Sequence, residues 1–273
     1  MTTITNVSNL KAQAAVRKTG QDLDATTNEL SSGERVNFRT SSAEASKVLT
    51  LTSESSVARQ SIENANQGIS MLQVAEGGLN EVSNLLIRMK ELATQNSSDT
   101  VSESEKAMGN FEFQQLKEEI DRISSNTKYN KKSLLDGSES SVNFVVGDPR
   151  NSANNVNVDF SKIESSISKL GLSSEDVSDS NSSQNSISSL DESINKVNSH
   201  RSYLGSLNSR LQFNVNSNQM YKINLDQAAS QVKDTDYAES ASKMVKQQIQ
   251  NQVATSVLGQ TNQLKNNIFK LIS

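Results

Sequence analysis

The sequence predicts a mainly α-helical fold with long antiparallel coiled-coil helices, a small β-hairpin region, and terminal helices paired in a second helical domain. Three patterns predict it: two long stretches with 3,4 spacing of apolar residues, a short alternating segment between them, and weakly amphipathic ends. The composition agrees, because the 273 residues include one Pro and no Trp, and only 4% are aromatic. Few helix breakers and few bulky core residues suit long helices.

The first long stretch lies between Ile187 and Val232. Its 3,4 alternation never slips, as a helix packed in a coiled coil requires, and at about 1.5 Å per residue the helix is roughly 70 Å long. The polar members of the seam leave two interpretations open: one edge is wet, or these residues fix the register between helices. The seam comprises Ile187, Leu190, Ile194, Val197, Arg201, Leu204, Asn208, Leu211, Val215, Asn218, Lys222, Leu225, Ala229 and Val232.

The second long stretch, between Val48 and Ala93, has the same spacing apart from one three-residue skip between Leu72 and Ala75, and it is the predicted antiparallel partner. It contains Gly77-Gly78, where each glycine costs about 1 kcal/mol relative to alanine in a helix. Close helix packing is the simpler explanation, and a hinge is the alternative. The seam comprises Val48, Leu51, Ser55, Ala58, Ile62, Ala65, Ile69, Leu72, Ala75, Leu79, Val82, Leu86, Met89 and Ala93.

A third helix is predicted from about Glu103 to Asn126, with Ser102 or Ser104 as its N-cap. It is short enough to fold back against the second stretch.

After this helix the apolar period changes from helical to alternating. Turn residues at Asp136-Gly137 and Gly147-Asp148-Pro149 divide the segment, which predicts three or four short strands within residues 128–160. The Ser-rich segment Leu172–Ser186 is expected to be an exposed loop.

Both ends of the chain are predicted to be amphipathic helices, over residues 4–34 and from about Ala238 to Leu271, the first ending at Ser31-Ser32-Gly33. If they pair, each covers part of the other's thin apolar stripe, and the surface left over favours self-association. Replacing Leu264 or Ile268 by Asp is predicted to leave a soluble monomer that does not polymerise. The candidate self-assembly residues are Ile4, Val7, Leu10, Val253, Val257, Leu264, Ile268 and Leu271.

Three domain segments follow from this layout. Residues 1–45 form the N-terminal helix and an irregular linker over residues 35–45, and residues 46–234 form a helical rod with the hairpin region. Residues 235–273 form the C-terminal helix, which joins the N-terminal helix in one inner domain.

The residues that usually carry catalysis are scarce. The chain has no Cys and one His, which excludes a thiolate metal site and a Cys nucleophile. His200 lies beside the long seam and is expected at its rim. No phosphate-binding loop or nucleophile elbow is present, so we expect no enzyme activity and no cofactor.

Charge and hydropathy limit the classes of partner that this chain is expected to bind. A net charge of −4 disfavours nucleic acid, and no apolar run approaches the ~20 residues that cross a membrane. The N-terminus lacks the apolar segment of a cleavable signal peptide. Such a chain is either cytoplasmic or exported by another route.

The chain resembles bacterial flagellin over nearly its whole length. Each matching segment is weak alone, but together and in this order they are specific. The segments are LSSGERVN at Leu30–Asn37, NANQGISMLQVA at Asn64–Ala75, LIRMKELATQ at Leu86–Gln95, EEIDRISSNTKYN at Glu118–Asn130, LGSLNSRL at Leu204–Leu211, DTDYAE at Asp234–Glu239, and Ala254–Leu271.

This resemblance implies a homopolymer: the filament subunit of the extracellular bacterial flagellum, exported unfolded through the flagellar type III apparatus without a cleavable signal. It implies an export chaperone on the C-terminal helix, and hook-associated and cap proteins as further partners. Two departures stand out. Phe38–Ala45 replaces the family's acidic run before Ala-Ala-Gly, and only about Leu172–Ser186 stands where larger flagellins insert variable outer domains, so none is expected.

In many flagellins the segment matching Leu86–Gln95 is sensed by a host Toll-like receptor. Arg88, Leu92 and Glu112 stand where the resemblance places contacting residues, although Ile87 replaces the usual Gln. The same residues also suit contacts with a neighbouring subunit.

Two alternatives remain open at this stage. The hook–filament junction protein has similar helical ends, but the hairpin segment and the run from EEIDR to YN favour flagellin. A cytoplasmic coiled-coil adaptor is the alternative from another class.

Overall fold

The computed structural model describes residues 7–36, 42–147 and 154–272, with side-chain surroundings up to residue 263. The helices in this part are α1 Val7–Ser32, α2 Ser42–Asn96, α3 Glu103–Asn126, α4 Ile167–Leu170, α5 Ser180–Lys233 and α6 Tyr237–Ile272. The strands are β1 Lys128–Tyr129, β2 Lys132–Ser133, β3 Val142–Val145 and β4 Asn155–Val158, and a 3₁₀ helix spans Phe160–Ile163. The predicted fold class is confirmed.

The chain divides into two compact units. Unit 1 takes residues up to Ser53 and from Asn224 onward, and unit 2 takes Glu54–Ile223. The division lies inside α2 and α5, whereas the sequence analysis placed domain limits at residues 45 and 234.

In unit 2, α2 and α5 run antiparallel. Tyr221 Oη donates to Glu54 Oε2 at 2.9 Å, and Lys90 pairs with Asp191 farther along α2. Every position of both predicted seams is buried or partly buried, which confirms both. One polar seam residue has a definite role, since Asn218 Nδ2 donates to Val146 O at 2.8 Å and ties α5 to the β region.

Helix α3 has the predicted bounds, and Ser102 is its N-cap. Ser102 Oγ accepts from Glu105 N, while Ser102 N donates to Glu105 Oε2, which completes a capping box. Phe113 and Ile120 of α3 are fully buried in the core of unit 2. The remaining core is made mainly of apolar residues from α2, α5 and the segment around Leu134-Leu135.

Four strands form, as predicted, but the predicted hairpin turn at Asp136-Gly137 is wrong. β1 pairs with β2 across Asn130-Lys131, both of which have positive φ (47° and 68°), and β3 pairs with β4. Positive φ at both turn residues is the geometry of a tight hairpin. Asp136 instead makes a local turn in which its Oδ1 accepts from Ser138 N. Asp148 and Pro149 lie outside the described residues.

The prediction that Leu172–Ser186 is an exposed loop is also wrong. Leu172 and Val177 are fully buried, and α5 begins at Ser180. The segment is held by side chains from the helices beneath it: Asn96 Nδ2 donates to Val177 O at 2.8 Å, and Lys117 Nζ donates to Glu175 O at 3.0 Å.

In unit 1, α1 ends at Ser32 as predicted, and Gly33 follows with φ 73°. The irregular linker is shorter than expected because α2 begins at Ser42, and residues 37–41 lie outside the described part. Beside the end of α1, Thr235 N donates to Gly33 O at 3.0 Å and Lys233 pairs with Glu34 at 2.8 Å.

Candidate assembly surface

Helices α1 and α6 pair antiparallel along a seam with regular 3,4 spacing. Near one end Asn9 Nδ2 donates to Asn262 Oδ1, and at the other the Tyr237 hydroxyl lies beside Gly33. The buried and partly buried seam positions are Asn9, Ala12, Val16, Thr19, Leu23, Thr26 and Leu30 on α1, and Ser240, Met244, Gln247, Asn251, Ala254, Leu258 and Thr261 on α6.

Half of this seam is polar: seven of its fourteen positions carry polar side chains. Asn9, Thr26, Ser240 and Gln247 are all among its most buried residues. Within the described chain, Gln247 Oε1 is buried without a hydrogen-bond partner. An unpaired buried acceptor costs stability, and small polar residues contribute little hydrophobic burial, so the polar half of the seam adds little to the pairing of α1 and α6.

The predicted apolar stripes cover each other only in part. Val7 and Leu10 of α1 are 58% and 50% exposed, and Val253 and Val257 of α6 are 57% and 46% exposed. These exposed stripe residues lie on different helix faces from the seam. The expected mutual coverage therefore holds only in part, since Val16, Leu23 and Leu30 of the α1 stripe are half-buried in the seam.

On α6 the stripe extends farther toward the N-terminus. Val245 and Ile249 are 52% and 56% exposed, so four apolar residues follow one another at intervals of four. Residues spaced by four form an oblique ridge on a helix, which is the feature that packs into the groove of another helix.

A groove of about 600 Å³ runs between α1 and α6 beside this ridge. Ile249, Val253 and Val257 line one side, and Ala12 and Ala15 lie among the residues of the other. Short side chains on α1 leave room there, so a third helix can lay apolar side chains between the pair.

The structure describes the remaining predicted stripe residues only in part. Ile4 lies outside the described residues. Leu264, Ile268 and Leu271 belong to the backbone of α6, but their side-chain surroundings lie outside the described part.

The second group of predicted residues lies in unit 2. Arg88 Nε donates to Glu112 Oε1 at 2.9 Å, and Arg88 Nη1 donates to Glu91 Oε2 at 3.1 Å. The hydrogen bond to Glu112, followed by that to Glu91, raises the pKa of Arg88. Arg88 and Glu112 are thus brought together at the surface, whereas Leu92 is 3% exposed and belongs to the core.

His200 is half-buried beside Ser165, whose Oγ lies 3.4 Å from its Nδ1. Burial, and secondarily the charge of Lys196, lowers the pKa of His200. Among the described residues, no group of three or more His, Cys, Asp or Glu side chains could hold a metal ion. None of the described helices is long and apolar enough to span a membrane.

Comparison with known proteins identifies the family. The profile of the bacterial flagellin N-terminal helical region matches residues 4–140, and that of the bacterial flagellin C-terminal helical region matches residues 187–272. The chain belongs to the bacterial flagellin family. It is 31% identical to the flagellin of Listeria monocytogenes over 98% of both chains. It is 35% identical to the flagellin of Halalkalibacterium halodurans over 78% of both chains.

Solved structures agree with this flagellin assignment. The crystal structure of Bacillus cereus flagellin matches with a TM-score of 0.51 and 26% identity, over 57% of this chain and 88% of that one. A putative flagellar hook-associated protein from Vibrio parahaemolyticus matches with a TM-score of 0.60 over 71% of this chain and all of that one. At 13% identity, the second match shows the fold alone.

Family membership gives the general function. This flagellin is a structural subunit of the bacterial flagellar filament that polymerises with its own kind, and it is not an enzyme.

Proposed function

We propose that this flagellin polymerises through the apolar stripes of α1 and α6, each of which packs into the terminal-helix pair of a neighbouring copy. The observation that carries the proposal is the exposure of Val7, Leu10, Val253 and Val257 on helices whose shared seam is half polar. We include Ile4, Leu264, Ile268 and Leu271 in the same surface, because they continue the stripes in sequence.

The magnitude of the burial supports this role. Full burial of one Val or Leu side chain contributes about 1.5–3 kcal/mol, so the four described stripe residues contribute several kcal/mol per subunit. Association costs at least ~4 kcal/mol in lost translational and rotational freedom. The stripes therefore drive assembly only when most of them are buried together, which favours a polymer in which each copy meets several neighbours.

We extend the proposal to export. The chain leaves the cell unfolded through the flagellar type III apparatus and functions outside the cell. The half-polar α1–α6 seam supports this route because its polar positions add little hydrophobic burial that would oppose separation of the ends. An export chaperone covers the α6 stripe before assembly, and hook-associated and cap proteins bind the same stripes at the two ends of the filament.

Arg88 and Glu112 are proposed as a further contact with a neighbouring copy. The Arg88–Glu112 pair is exposed at the surface of α2 and α3. On a free subunit the same pair would be open to contact with a Toll-like receptor. Leu92 takes part in such a contact only by supporting α2 from the core.

The proposal is tested by replacing Val253 with Asp on α6. Purified protein is subjected to heat and salt, sedimented, and examined by negative-stain electron microscopy. We expect native protein to form filaments and Val253→Asp to stay soluble, because burying an unpaired carboxylate in a helix interface is strongly unfavourable. The matched control is Thr255→Asp, which places the same charge at an exposed position of α6 two residues from both Val253 and Val257, and therefore on a different face of the helix.

Three results would contradict the proposal. Filaments of normal yield from Val253→Asp would show that the stripe is not buried in the polymer. Short rings of few copies, in place of long filaments, would favour the hook–filament junction protein, which has similar terminal helices. Native protein that stays monomeric and intracellular would favour a coiled-coil adaptor.

A further inference from the structure

The break between α5 and α6 is only three residues long, Asp234–Asp236, and it contains neither glycine nor proline. Helical hydrogen bonds reach the break from both sides, since Asp234 N donates to Ser230 O and Ser240 N donates to Asp236 O, each at 2.9 Å. Glycine and proline are the residues that most strongly interrupt a helix. The local sequence alone therefore does not account for the break.

A segment that follows α1 is hydrogen-bonded to the break. Arg35 N donates to Lys233 O at 2.7 Å, and Arg35 Nη2 donates to Val232 O at 2.8 Å. In a continuous helix these two carbonyls would accept from the amides of Asp236 and Tyr237, four residues onward. Both donors of Arg35 therefore stand in place of helical hydrogen bonds.

The amides at the break are also satisfied by groups outside the helical pattern. Thr235 N donates to Gly33 O at 3.0 Å, whereas in a continuous helix it would donate to the carbonyl four residues back along α5. Asp236 Oδ1 accepts from Ala238 N at 2.9 Å and from Glu239 N at 3.1 Å, as an N-cap does. The segment after α1 and the Asp236 carboxylate together replace five helical hydrogen bonds.

The broken arrangement leaves one buried polar group unsatisfied. Thr235 is 7% exposed, and its Oγ1 has no hydrogen-bond partner within the described chain. Threonines inside the helices of this protein do have one: Thr26 Oγ1 donates to Asp22 O and Thr255 Oγ1 donates to Asn251 O, each four residues back. A continuous helix would offer Thr235 the same kind of partner, so the break carries a cost that the docked segment must offset.

We propose that residues 33–35 act as a conformational switch for the C-terminal helices: docked, they hold α5 and α6 apart, and undocked, they let α5 and α6 join into one helix. Both arrangements provide hydrogen bonds for the same five backbone groups, which is the condition for a two-state element. The switch couples the two ends of the chain, because the C-terminal helices separate only after the segment that follows α1 has docked. This inference goes beyond the proposed function and concerns the single subunit, so either can fail without the other.

Nuclear magnetic resonance of the full-length, unpolymerised chain with ¹³C-labelled threonine tests the switch. The Cα chemical shift of a residue lies below its random-coil value in an extended backbone and above it in a helix, and Thr235→Val assigns the Thr235 signal by removing it. Arg35→Pro deletes both donors at once, because proline has neither a backbone N–H nor a guanidinium group. We expect the Thr235 shift to move from the extended side of the random-coil value to the helical side.

The matched control is Arg35→Lys, which keeps the backbone N–H and the positive charge that faces Glu44 at 3.8 Å. A lysine can also donate to the last carbonyls of a helix, so this variant should keep the native Thr235 shift. A Thr235 shift in Arg35→Pro that stays extended, or that falls at the random-coil value, would overturn the switch, because the break would then belong to Asp234–Asp236 themselves.

A second measurement does not depend on Arg35→Pro and uses the Cα shift of Asp236 in ¹³C-labelled aspartate. Arg35→Ala removes the guanidinium but keeps the backbone donor, so it should move the Asp236 shift part of the way toward the helical value. Adding Thr235→Val should lower the helical population by about fivefold, because the joined helix then no longer gains a partner for the hydroxyl. Valine and threonine have similar helix propensities, so the hydroxyl is the difference measured. An Asp236 shift that stays native in Arg35→Ala, or that Thr235→Val does not move back, would overturn the switch.

Discussion

Buried polar residues lie among apolar ones in the seam of the terminal helices. Gln247, Asn9 and Thr26 are buried there but carry no hydrophobic signal, so an apolar pattern alone does not indicate their burial. The stripe residues themselves were identified correctly as apolar, but their exposure depends on packing geometry. Small side chains at 3,4 spacing could have indicated the seam, since they let two helices approach closely.

The unpaired acceptor of Gln247 makes a prediction at this scale. Gln247→Leu removes the buried Oε1 and should stabilise the α1–α6 pair of the monomer by about 1 kcal/mol. Hydrogen exchange of the α6 amides should then slow by roughly fivefold. Gln248→Leu, at an exposed position, is the control and should have no such effect. Exchange of Gln247→Leu that is as fast as in native protein would show that the acceptor costs nothing.

His200 predicts a pH dependence of unit 2. Its pKa is lowered by burial and then by Lys196, so the folded state binds fewer protons than the unfolded state near the ordinary His pKa of about 6.5. Stability is therefore full above pH ~6.5 and falls as the pH drops below that value. Urea unfolding followed at several pH values should show this loss, and His200→Gln should reduce it. An unchanged slope in the variant would assign the pH dependence to other groups.

Whole elements were more predictable than their connections. The α2 and α5 seams and the bounds of α3 follow from periodicity and capping, which are local signals. The turn at Asn130-Lys131 was missed because neither residue is glycine, although Asn tolerates positive φ. The burial of Leu172 and Val177 was missed because two isolated apolar residues in a Ser-rich segment have no period, and their burial depends on distant partners such as Asn96.

The adjacent glycines of α2, Gly77 and Gly78, provide a matched pair of substitutions that tests how closely this helix is packed. A Cβ on Gly78 would lie 2.7 Å from Thr127 Oγ1 and 2.8 Å from Leu135 Cδ1, whereas nothing lies within 4 Å of one on Gly77. Gly78→Ala should destabilise unit 2 by about 1–3 kcal/mol through overpacking. Gly77→Ala should stabilise it by up to ~1 kcal/mol through helix propensity.

Urea unfolding followed by far-UV circular dichroism distinguishes the two glycine variants. The difference between them confirms close packing at Gly78 and leaves Gly77 as an ordinary exposed glycine. Equal stability of Gly77→Ala and Gly78→Ala would mean that α2 moves away from Thr127 without cost.

At the scale of the whole molecule, the chain separates folding from assembly. The large apolar core lies in unit 2, while unit 1 pairs its helices through a half-polar seam and leaves Val7, Leu10, Val253 and Val257 exposed. In the proposed polymer these terminal helices reach full hydrophobic burial only among copies. The same division explains why the core and the general function could be predicted from sequence, whereas the extent to which the terminal stripes are covered within one subunit could not.

The central claim is that the exposed stripes of α1 and α6 become the core of the polymer. A helical reconstruction of the filament by cryo-electron microscopy tests it most directly. We predict that Val7, Leu10, Val253 and Val257 lose their solvent exposure against side chains of neighbouring copies, while the α1–α6 seam stays within one subunit. A filament in which these four side chains still face water would contradict the account.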